Sequence, residues 1–338
     1  MKRKRLRELL SRFPDLKITV IGDLFLDRWY EIDESLNNPS IETGLTVFHV
    51  VRKRSAAGAA GTVLNNLSDM EVGTLRVISL VGEDGDGWEM RKRLTEKRVN
   101  TDAVVMDPSV VTPSYIKPLF PAEGNRLDIE NLSPTPSSIA DRLAGLLEVE
   151  WDKADALIAL DQVAVPGTGV LNDRVRQRLC ELARCHPEKL VVADSRTSIT
   201  EYTDVVVKCN NFEAASITGG AETTGLFDQE EVFRCLTDLH RRTGRPVVVT
   251  CNKYGILVEE DSLPVLLPAA RHTCPIDICG AGDACTAGLV SALAAGASYP
   301  EAAFIGNLAS GVTVRQIGRT GTATREAMLS LYDEQFGE

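Results

Sequence analysis

Residues 277–288 of this 338-residue chain read DICGAGDACTAG, a glycine-rich turn followed by small and apolar residues. The apolar run continues as LVSALAAG, which predicts a helix that begins near Asp283 and ends at Gly296. The first turn of a helix leaves backbone amides unpaired at the positive end of the dipole. Gly280 and Gly282 let the backbone come close to a ligand. The stretch therefore predicts an anion-binding turn at a helix start.

The carboxylate of Asp283 in this turn has two interpretations. A simple anion site would not place Asp283 beside its own ligand, because like charges repel. The residue fits if it accepts the proton of a hydroxyl while the amides hold developing negative charge, as in phosphoryl or acyl transfer. Alternatively, Asp283 only complements the helix dipole. Spacing alone leaves both interpretations open.

Two other phosphate-binding motifs do not fit this chain. A G-x-G-x-x-G fingerprint would need glycine at position 285, where Cys285 stands. A Walker P-loop needs a Gly-Lys dipeptide, and the sequence contains none. The anion-binding turn is therefore of another kind.

Composition excludes several classes of partner. The formal net charge is −11 at pH 7, which argues against nucleic acid or an anionic membrane as a general partner. No run reaches the roughly 18 apolar residues that span a bilayer. The eight cysteines form no C-x-x-C pair and the four histidines are scattered, so a zinc site is poorly supported. We expect a cytoplasmic protein with buried thiols.

Short β-branched runs alternate with helical patterns along the chain. The predicted strands are 17–23, 74–82, 155–162, 189–195, 204–210, 246–252 and 255–260. Their near-continuous apolar character predicts an α/β fold with a mostly parallel sheet and helices on both faces. Ligands collect at the carboxyl ends of such strands. The polar residues at these ends are Asp23, Asp161, Asp194, Asn210 and Asn252.

Two stretches break the alternation of strands and helices. Residues 27–55 and 111–130 read as extended segments with turns, and we expect them to form a small β-flap over the strand ends. Residues 131–138, NLSPTPSS, read as a linker back to the main body. We expect a single domain over residues 1–338, with these two segments as its lid.

The sequence resembles the ribokinase, or PfkB-type, carbohydrate kinases. DICGAGDACTAG is similar to their DTTGAGD signature, and further similar segments are ITVIGDLFLDRW (18–29), AAGAAGTVLNN (56–66), NNFE (210–213) and VVVTCNKYGILV (247–258). Within the family the heptose 7-phosphate kinase branch is most similar, through SIETGLTVF (40–48), NRLDIE (125–130) and VVADSRTSITEY (191–202). The resemblance implies a ribokinase-like three-layer fold with a β-flap lid.

The chain also departs from the family pattern. Gly61 stands where relatives carry an asparagine that contacts sugar, Ala57 replaces a glycine, and Cys209 replaces the proline before Asn210. The branch's SDYxKG loop has become LDQVAVPGTG. No HxGH nucleotidyl-transfer motif is present, so we expect a kinase without a fused second enzyme.

The resemblance implies ATP-dependent phosphorylation of a hydroxyl on a sugar or sugar phosphate. Asp283 would be the general base, and Gly280, Ala281 and Gly282 the anion hole. Residues expected on the substrate are Asp27, Gly58, Asn65, Arg126, Asp161 and Arg196. Residues expected around the nucleotide are Asn210, Thr250, Asn252, Gly255 and Asn307. Residues expected near cations are Asn210 and Glu213 for Mg²⁺, and Asp277 for a monovalent ion such as K⁺.

Each of these assignments has a plainer alternative. Asn210 and Glu213 could be a strand-end turn and helix cap, Asp277 an exposed turn residue and Asn307 an ordinary polar helix residue. Arg126 and Arg196 could be surface arginines instead of ligands for a substrate phosphate. At the level of function, a nucleoside kinase and a non-catalytic nucleotide-binding regulator remain open. The expected partners are a small-molecule substrate and a second copy of the chain, with no nucleic acid and no membrane.

Overall fold

A computed structural model of the chain describes residues 1–219 and 227–337. The helices in these ranges are α1 (Arg3–Ser11), α2 (Ala60–Asp69), α3 (Gly85–Glu96), α4 (Ser137–Trp151), α5 (Asp173–Cys185), α6 (Asn211–Thr218), α7 (Gln229–Thr243), α8 (Ala281–Ala294), α9 (Tyr299–Thr313) and α10 (Arg325–Phe336). The strands are β1 (Lys17–Gly22), β2 (Leu24–Ile32), β3 (Asn38–Pro39), β4 (Thr46–Val47), β5 (Val50–Ala59), β6 (Thr74–Gly82), β7 (Val99–Asp107), β8 (Ser114–Phe120), β9 (Ala122–Glu123), β10 (Leu127–Ile129), β11 (Ala156–Asp161), β12 (Leu190–Ser195), β13 (Val206–Asn210), β14 (Val247–Thr250), β15 (Ile256–Glu260) and β16 (Leu263–Leu267).

The main sheet has nine strands in the order β16-β15-β14-β13-β12-β11-β1-β6-β7. Neighbouring strands are parallel throughout the part of this sheet ordered β14-β13-β12-β11-β1-β6-β7. Strands β15 and β16 continue the sheet in antiparallel pairing. Each predicted apolar run forms a strand here, so the prediction of a mostly parallel α/β sheet is confirmed. Strands β7 and β16 were not predicted. Both are edge strands whose partly exposed side chains break the continuous apolar pattern.

Helices cover both faces of this sheet because successive strand residues point to opposite sides. In β11, Ile158 belongs to the hydrophobic cluster that also contains residues of α1, α2, α3, α8, α9 and α10, whereas Leu157 and Ala159 belong to the cluster that contains residues of α4, α5, α6 and α7. Helix α8 lies close to α9, since a Cβ on Gly288 would be 3.0 Å from the Cβ of Ala309. In the described ranges, no helix has both the length and the apolar character to cross a membrane.

A second sheet, with the order β10-β8-β2-β5 and β9 beside β8, contains most of the two segments predicted to form a flap. We call this sheet the lid. Its strands β2 and β5 extend beyond the predicted segment at both ends, to Leu24 and Ala59. One face of the lid contacts α3, where Arg28 pairs with Asp86 and with Glu89 (2.9 Å). The other face carries Asp27, because neighbouring residues of a strand alternate.

Gly255 provides a test of the packing at the β14–β15 hairpin. Its φ is +111°, and a Cβ there would lie 1.9 Å from the carbonyl oxygen of Leu267. Gly255→Ala should therefore lower the free energy of unfolding by about 2 kcal/mol or more, measured by urea denaturation. Gly145→Ala is the control, because Gly145 lies exposed within α4 with open space around it. The control should gain roughly 0.5–1 kcal/mol. Equal stability of the two variants would contradict the close approach.

Candidate active site

The predicted anion-binding turn is present at the start of α8. Gly280 is the N-cap and has φ +77°, and a Cβ there would lie 2.8 Å from Cγ2 of Thr320. The Ala281 amide donates to the carbonyl of Ile278 (3.1 Å), and the Ala284 amide donates to that of Gly280 (2.9 Å). Within residues 1–219 and 227–337, the amides of Gly282 and Asp283 have no hydrogen-bond partner. These two donors are available to an anion.

A buried ion pair lies directly beside this turn. Lys208 Nζ in β13 is 2.6 Å from Asp194 Oδ2 in β12, and both side chains are almost completely buried. A Cβ placed on Gly282 would lie 4.0 Å from the Lys208 ammonium. Burial opposes the charge of Lys208, but Asp194 raises the pKa of that amine above its ordinary value. The anion-binding turn therefore has a fixed positive charge next to its open amides.

The sequence analysis noted Asp194 but missed Lys208. A lysine inside the apolar run VVVKCN was the available signal, because a lysine is rarely buried in a strand without a carboxylate partner.

Asp283 projects from the first turn of α8 and is partly buried. Burial, assisted by the negative charge of Asp194, raises the pKa of Asp283 from 3.8 to about 7, although Lys208 and Arg196 act in the opposite direction. A carboxylate with this pKa can take up a proton near neutral pH. The site therefore combines a carboxylate and open amides in the first turn of α8 with a buried cation from β13.

The lid brings Asp27 to the same site. The charge of Asp27 reaches Asp283, and its Oδ1 accepts a hydrogen bond from Lys117 Nζ of β8 at 3.0 Å. Gly58 makes this position possible, since a Cβ there would lie 2.6 Å from Asp27 Oδ2. Lys117, which the sequence analysis did not single out, also lies 4.9 Å from the ring centre of Trp29.

The two predicted arginines differ in their surroundings. Arg126 is exposed, forms two hydrogen bonds of 2.6 Å with Asp128, and lies 4.3 Å from the ring centre of Tyr115. Arg196 follows β12 and donates from Nε to Gln162 Oε1 (2.9 Å). Because it directly follows β12, Arg196 lies on the side of the cleft formed by the main sheet, and its charge lowers the pKa of Asp283. Arg126 lies on the lid.

Three predicted site residues have their side chains engaged inside the protein. The buried carboxylate of Asp161 accepts hydrogen bonds from Ser195 Oγ (2.8 Å) and Tyr202 Oη (3.4 Å). Asn65 Nδ2 contacts the carbonyl oxygen of Ala57 at 3.5 Å.

The third engaged residue is Asn307, whose Nδ2 donates to the carbonyls of Leu267 (2.8 Å) and Pro268 (3.2 Å). In this structure Asn307 connects α9 to the segment after β16. Asp161 likewise supports the segment after β12. The assignments of Asp161 to the substrate and of Asn307 to the nucleotide stay predictions.

Asn210 and Glu213 form a capping box at the start of α6. Asn210 Oδ1 accepts from the Glu213 amide (2.9 Å), and Glu213 Oε2 accepts from the Asn210 amide (2.8 Å). This is the geometry of the plainer alternative, a helix cap. Burial also raises the pKa of Glu213, and Asp194 adds to the effect. Glu213 is therefore close to the buried ion pair as well as being a cap residue.

Asp277 is more than an exposed turn residue. Its carboxylate accepts from the amides of Cys279 (3.0 Å) and Gly318 (3.0 Å), and its own amide donates to the carbonyl of Val314 (2.8 Å). These bonds join the anion-binding turn to the loop after α9. Asp277 thus holds the anion-binding turn against the loop after α9.

The predicted nucleotide residues of the β14–β15 hairpin lie at the same edge of the sheet. Thr250 is opposite Asn210 in the register, and its Oγ1 contacts the carbonyl oxygen of Cys209 at 3.4 Å. Asn252 follows Thr250, is exposed and has φ +50°. Among the described residues, no group of three or more His, Cys, Asp or Glu side chains could hold a metal ion.

Comparison with known sequences identifies the family of this chain. A model of the pfkB family of carbohydrate kinases matches residues 16–325. A bifunctional protein HldE from Paramagnetospirillum magneticum is 31% identical over 98% of this chain and 67% of its own length. Another from Rhodospirillum rubrum is 28% identical over 98% of this chain and 65% of its own length. The chain thus spans about two thirds of the length of these relatives.

Solved structures share the fold. A ribokinase from Arabidopsis thaliana, complexed with ribose and ATP, aligns with a TM-score of 0.68 and 17% identity, over 94% of this chain and 98% of its own. A putative sugar kinase from Clostridium perfringens aligns with a TM-score of 0.71 and 14% identity, over 94% and 96%. The ribokinase-like fold is therefore confirmed. Because the family model matches nearly the whole chain, this protein belongs to the pfkB family of carbohydrate kinases.

Proposed function

We propose that this carbohydrate kinase transfers the γ-phosphoryl group of ATP to a hydroxyl of a sugar phosphate similar to a heptose phosphate. The observation that carries the proposal is the position of Asp283. It lies beside two open backbone amides and the buried Lys208, and its pKa is about 7. A carboxylate that only complemented the helix dipole would have a lowered pKa, not a raised one.

In the proposed reaction Asp283 accepts the proton of the attacking hydroxyl. The hydroxyl oxygen forms a bond to the γ-phosphorus as the bond from that phosphorus to the ADP oxygen breaks. Negative charge on the transferring group would be stabilised by the amides of Gly282 and Asp283, by the dipole of α8 and by the Lys208 ammonium. The retention of this complete set disfavours a non-catalytic regulator.

The residues at the ends of β12 and β13 fit a magnesium–nucleotide complex. Asp194 and Glu213 supply carboxylates near the anion-binding turn, although no all-protein cage exists among the described residues. Mg²⁺ characteristically takes one or two carboxylates and completes its shell with phosphates and water. When bound, it would neutralise charge on the phosphates. Asp277 remains the proposed neighbour of a monovalent cation such as K⁺.

Three cations support an anionic substrate. Lys117 contacts Asp27 at 3.0 Å, Arg126 lies on the lid and Arg196 lies on the opposite wall. Such a set suits the phosphate of a sugar phosphate better than an uncharged sugar or nucleoside. The similarity to proteins named HldE points in the same direction. We place the sugar hydroxyls at Asp27 and the phosphate near these cations.

We propose that the lid closes over the bound substrate to exclude water, which would otherwise compete for the phosphoryl group. The tip of the lid exposes a group of large apolar side chains, namely Ile41, Leu45, Phe48 and Val51. Exposed apolar groups of this kind favour association. A homodimer formed through the lid, with a second copy covering these side chains, is therefore part of the proposal.

Asp283→Asn tests whether the ionised carboxylate of Asp283 lowers the stability of the folded protein. The native pKa of about 7 exceeds the ordinary 3.8, so the contribution of Asp283 to stability falls as pH rises through this window. Asparagine cannot ionise. The variant should therefore be more stable than the wild type at pH 8, by about 1–2 kcal/mol, and the gain should disappear near pH 4. A loss of melting temperature at pH 8 would support the dipole-capping alternative.

The same substitution tests the proposed chemistry. Turnover should fall by roughly 10²- to 10⁴-fold, while ATP binding measured by calorimetry stays close to wild type. In the wild type, kcat/KM for the sugar phosphate should decline about tenfold per pH unit below pH 7, since the base must be ionised. A variant that keeps more than about a tenth of wild-type turnover would remove Asp283 from the role of base.

A panel of sugars, sugar phosphates and nucleosides tests the substrate class through ADP release. A heptose phosphate or a related sugar phosphate should be preferred. Arg126→Ala should raise KM for that substrate about tenfold and leave KM for ATP unchanged. Arg174→Ala is the matched control, because Arg174 is also an exposed arginine bonded to a carboxylate, Asp141 (3.0 Å). Equal use of a free sugar and its phosphate would contradict the phosphate site.

A further inference from the structure

Asp23 is the single residue between β1 of the main sheet and β2 of the lid. Its amide donates to the carbonyl of Leu160 in β11 (3.2 Å). Its carbonyl accepts from the amide of Ala60 (3.0 Å), where β5 leaves the lid and α2 begins. The main chain of Asp23 thus holds the adjacent lid strands β2 and β5 at their common root.

The carboxylate of Asp23 connects this root to a third segment. It is buried, with 3% of the residue exposed, and accepts from the amides of Gln162 (2.9 Å, Oδ2) and Val170 (2.8 Å, Oδ1). A Cβ on Gly169 would lie 2.5 Å from Asp23 Oδ1, so glycine makes room for this contact. Asp23 therefore fixes both ends of residues 162–170, which we call the wall segment.

The wall segment faces the substrate side of the protein. Gln162 Oε1 accepts from Nε of Arg196 (2.9 Å), and the Arg196 amide donates to the carbonyl of Asp161 (3.1 Å). A cavity of about 20 Å³ separates the wall segment from the lid, with Val163 on one side and Phe25 on the other. A displacement of Gln162 would therefore move Arg196 relative to the lid.

We propose that Asp23 is a positioning residue that keeps the wall segment in register with the root of the lid and thereby sets the affinity for the anionic substrate through Arg196. The inference rests on the proposed function, in which Arg196 meets the substrate phosphate. Asp23 itself touches neither substrate nor nucleotide in this scheme. It acts through the main chain of Gln162 and the side-chain bond from Gln162 to Arg196.

The hydrogen bonds of Asp23 depend on its ionisation. Two amides need two acceptor oxygens, and a protonated carboxyl offers a poorer pair. Burial raises the pKa of Asp23 to about 6, and Asp161 of β11 adds to the effect. Tyr202, from the segment after β12, also lies near enough for its pKa to be affected by Asp23, and Arg176 of α5 contacts Asp161 (3.9 Å). The hydrogen bonds from the amides of Gln162 and Val170 to Asp23, which we call the tether, should therefore weaken as pH falls through about 6.

Asp23→Asn tests the proposal, because asparagine has the same shape but only one acceptor oxygen. The variant should raise KM for the sugar phosphate about tenfold at pH 8, with kcat and KM for ATP within twofold of wild type. In the wild type, KM for the sugar phosphate should rise as pH drops below about 6, whereas the variant should show a high KM at every pH. An unchanged KM, or an unchanged pH profile of KM, would overturn the proposal.

Asp155→Asn is the matched control. Asp155 also accepts a backbone amide between β1 and β11, that of Lys17 (2.8 Å), but at the opposite end of the strands. It should leave KM for the sugar phosphate unchanged. If it raised KM as much as Asp23→Asn does, the effect would be general loosening of the sheet and the proposal would fail.

Gln162→Ala keeps the test decisive if Asp23→Asn does not fold. It leaves the tether intact and removes only the bond to Arg196, so KM for the sugar phosphate should again rise several-fold at unchanged melting temperature. Arg196→Ala distinguishes the phosphate-binding role of Arg196 from the positioning role of Asp23. No effect of Arg196→Ala would contradict the phosphate-binding role in the proposed function. An effect of Arg196→Ala, without any effect of Gln162→Ala and Asp23→Asn, would contradict only the positioning role.

Discussion

The ion pair of Lys208 and Asp194 is the interaction on which the site depends. An ammonium group buried without a counter-charge would lose its proton, and a lone buried carboxylate would gain one. At 2.6 Å, Asp194 raises the pKa of Lys208 and keeps this ammonium charged beneath the first turn of α8. Burial raises the pKa of Asp283 to about 7, and Asp194 and Lys208 act on that pKa in opposite directions. The electrostatics of the first turn of α8 are thus set in part by β12 and β13.

The sequence could predict the features that are local. The glycines at 280 and 282 and the apolar run after Asp283 identify a helix start, because caps and dipoles depend on neighbouring residues. The ion pair could not be derived in this way. Asp194 and Lys208 are opposite each other only in the register of β12 and β13, and register is a property of the assembled sheet. The edge strands β7 and β16 were not predicted because their partly exposed side chains lack a continuous apolar pattern.

Motif residues were harder to assign because one side chain can serve two purposes. Asn210 and Glu213 cap α6 with hydrogen bonds of 2.8–2.9 Å while lying near the buried ion pair. The side-chain amide of Asn307 donates to two backbone carbonyls. Glycine is required at position 255 because the backbone there lies close to Leu267. The sequence gives the identity of such residues but not their second partner. Only the packing of distant segments decides it.

The position of β1 in the main sheet has a consequence for folding. Residues 17–22 pair on one side with β6 and on the other with β11, residues 156–161. The lid and helices α2, α3 and α4 lie between β1 and β11 in sequence. During synthesis the lid strands can therefore pair with one another while one edge of β1 still waits for its neighbour. Such long-range parallel pairing is slow and leaves an open strand edge exposed to aggregation. The nascent chain should need chaperone protection until β11 has emerged.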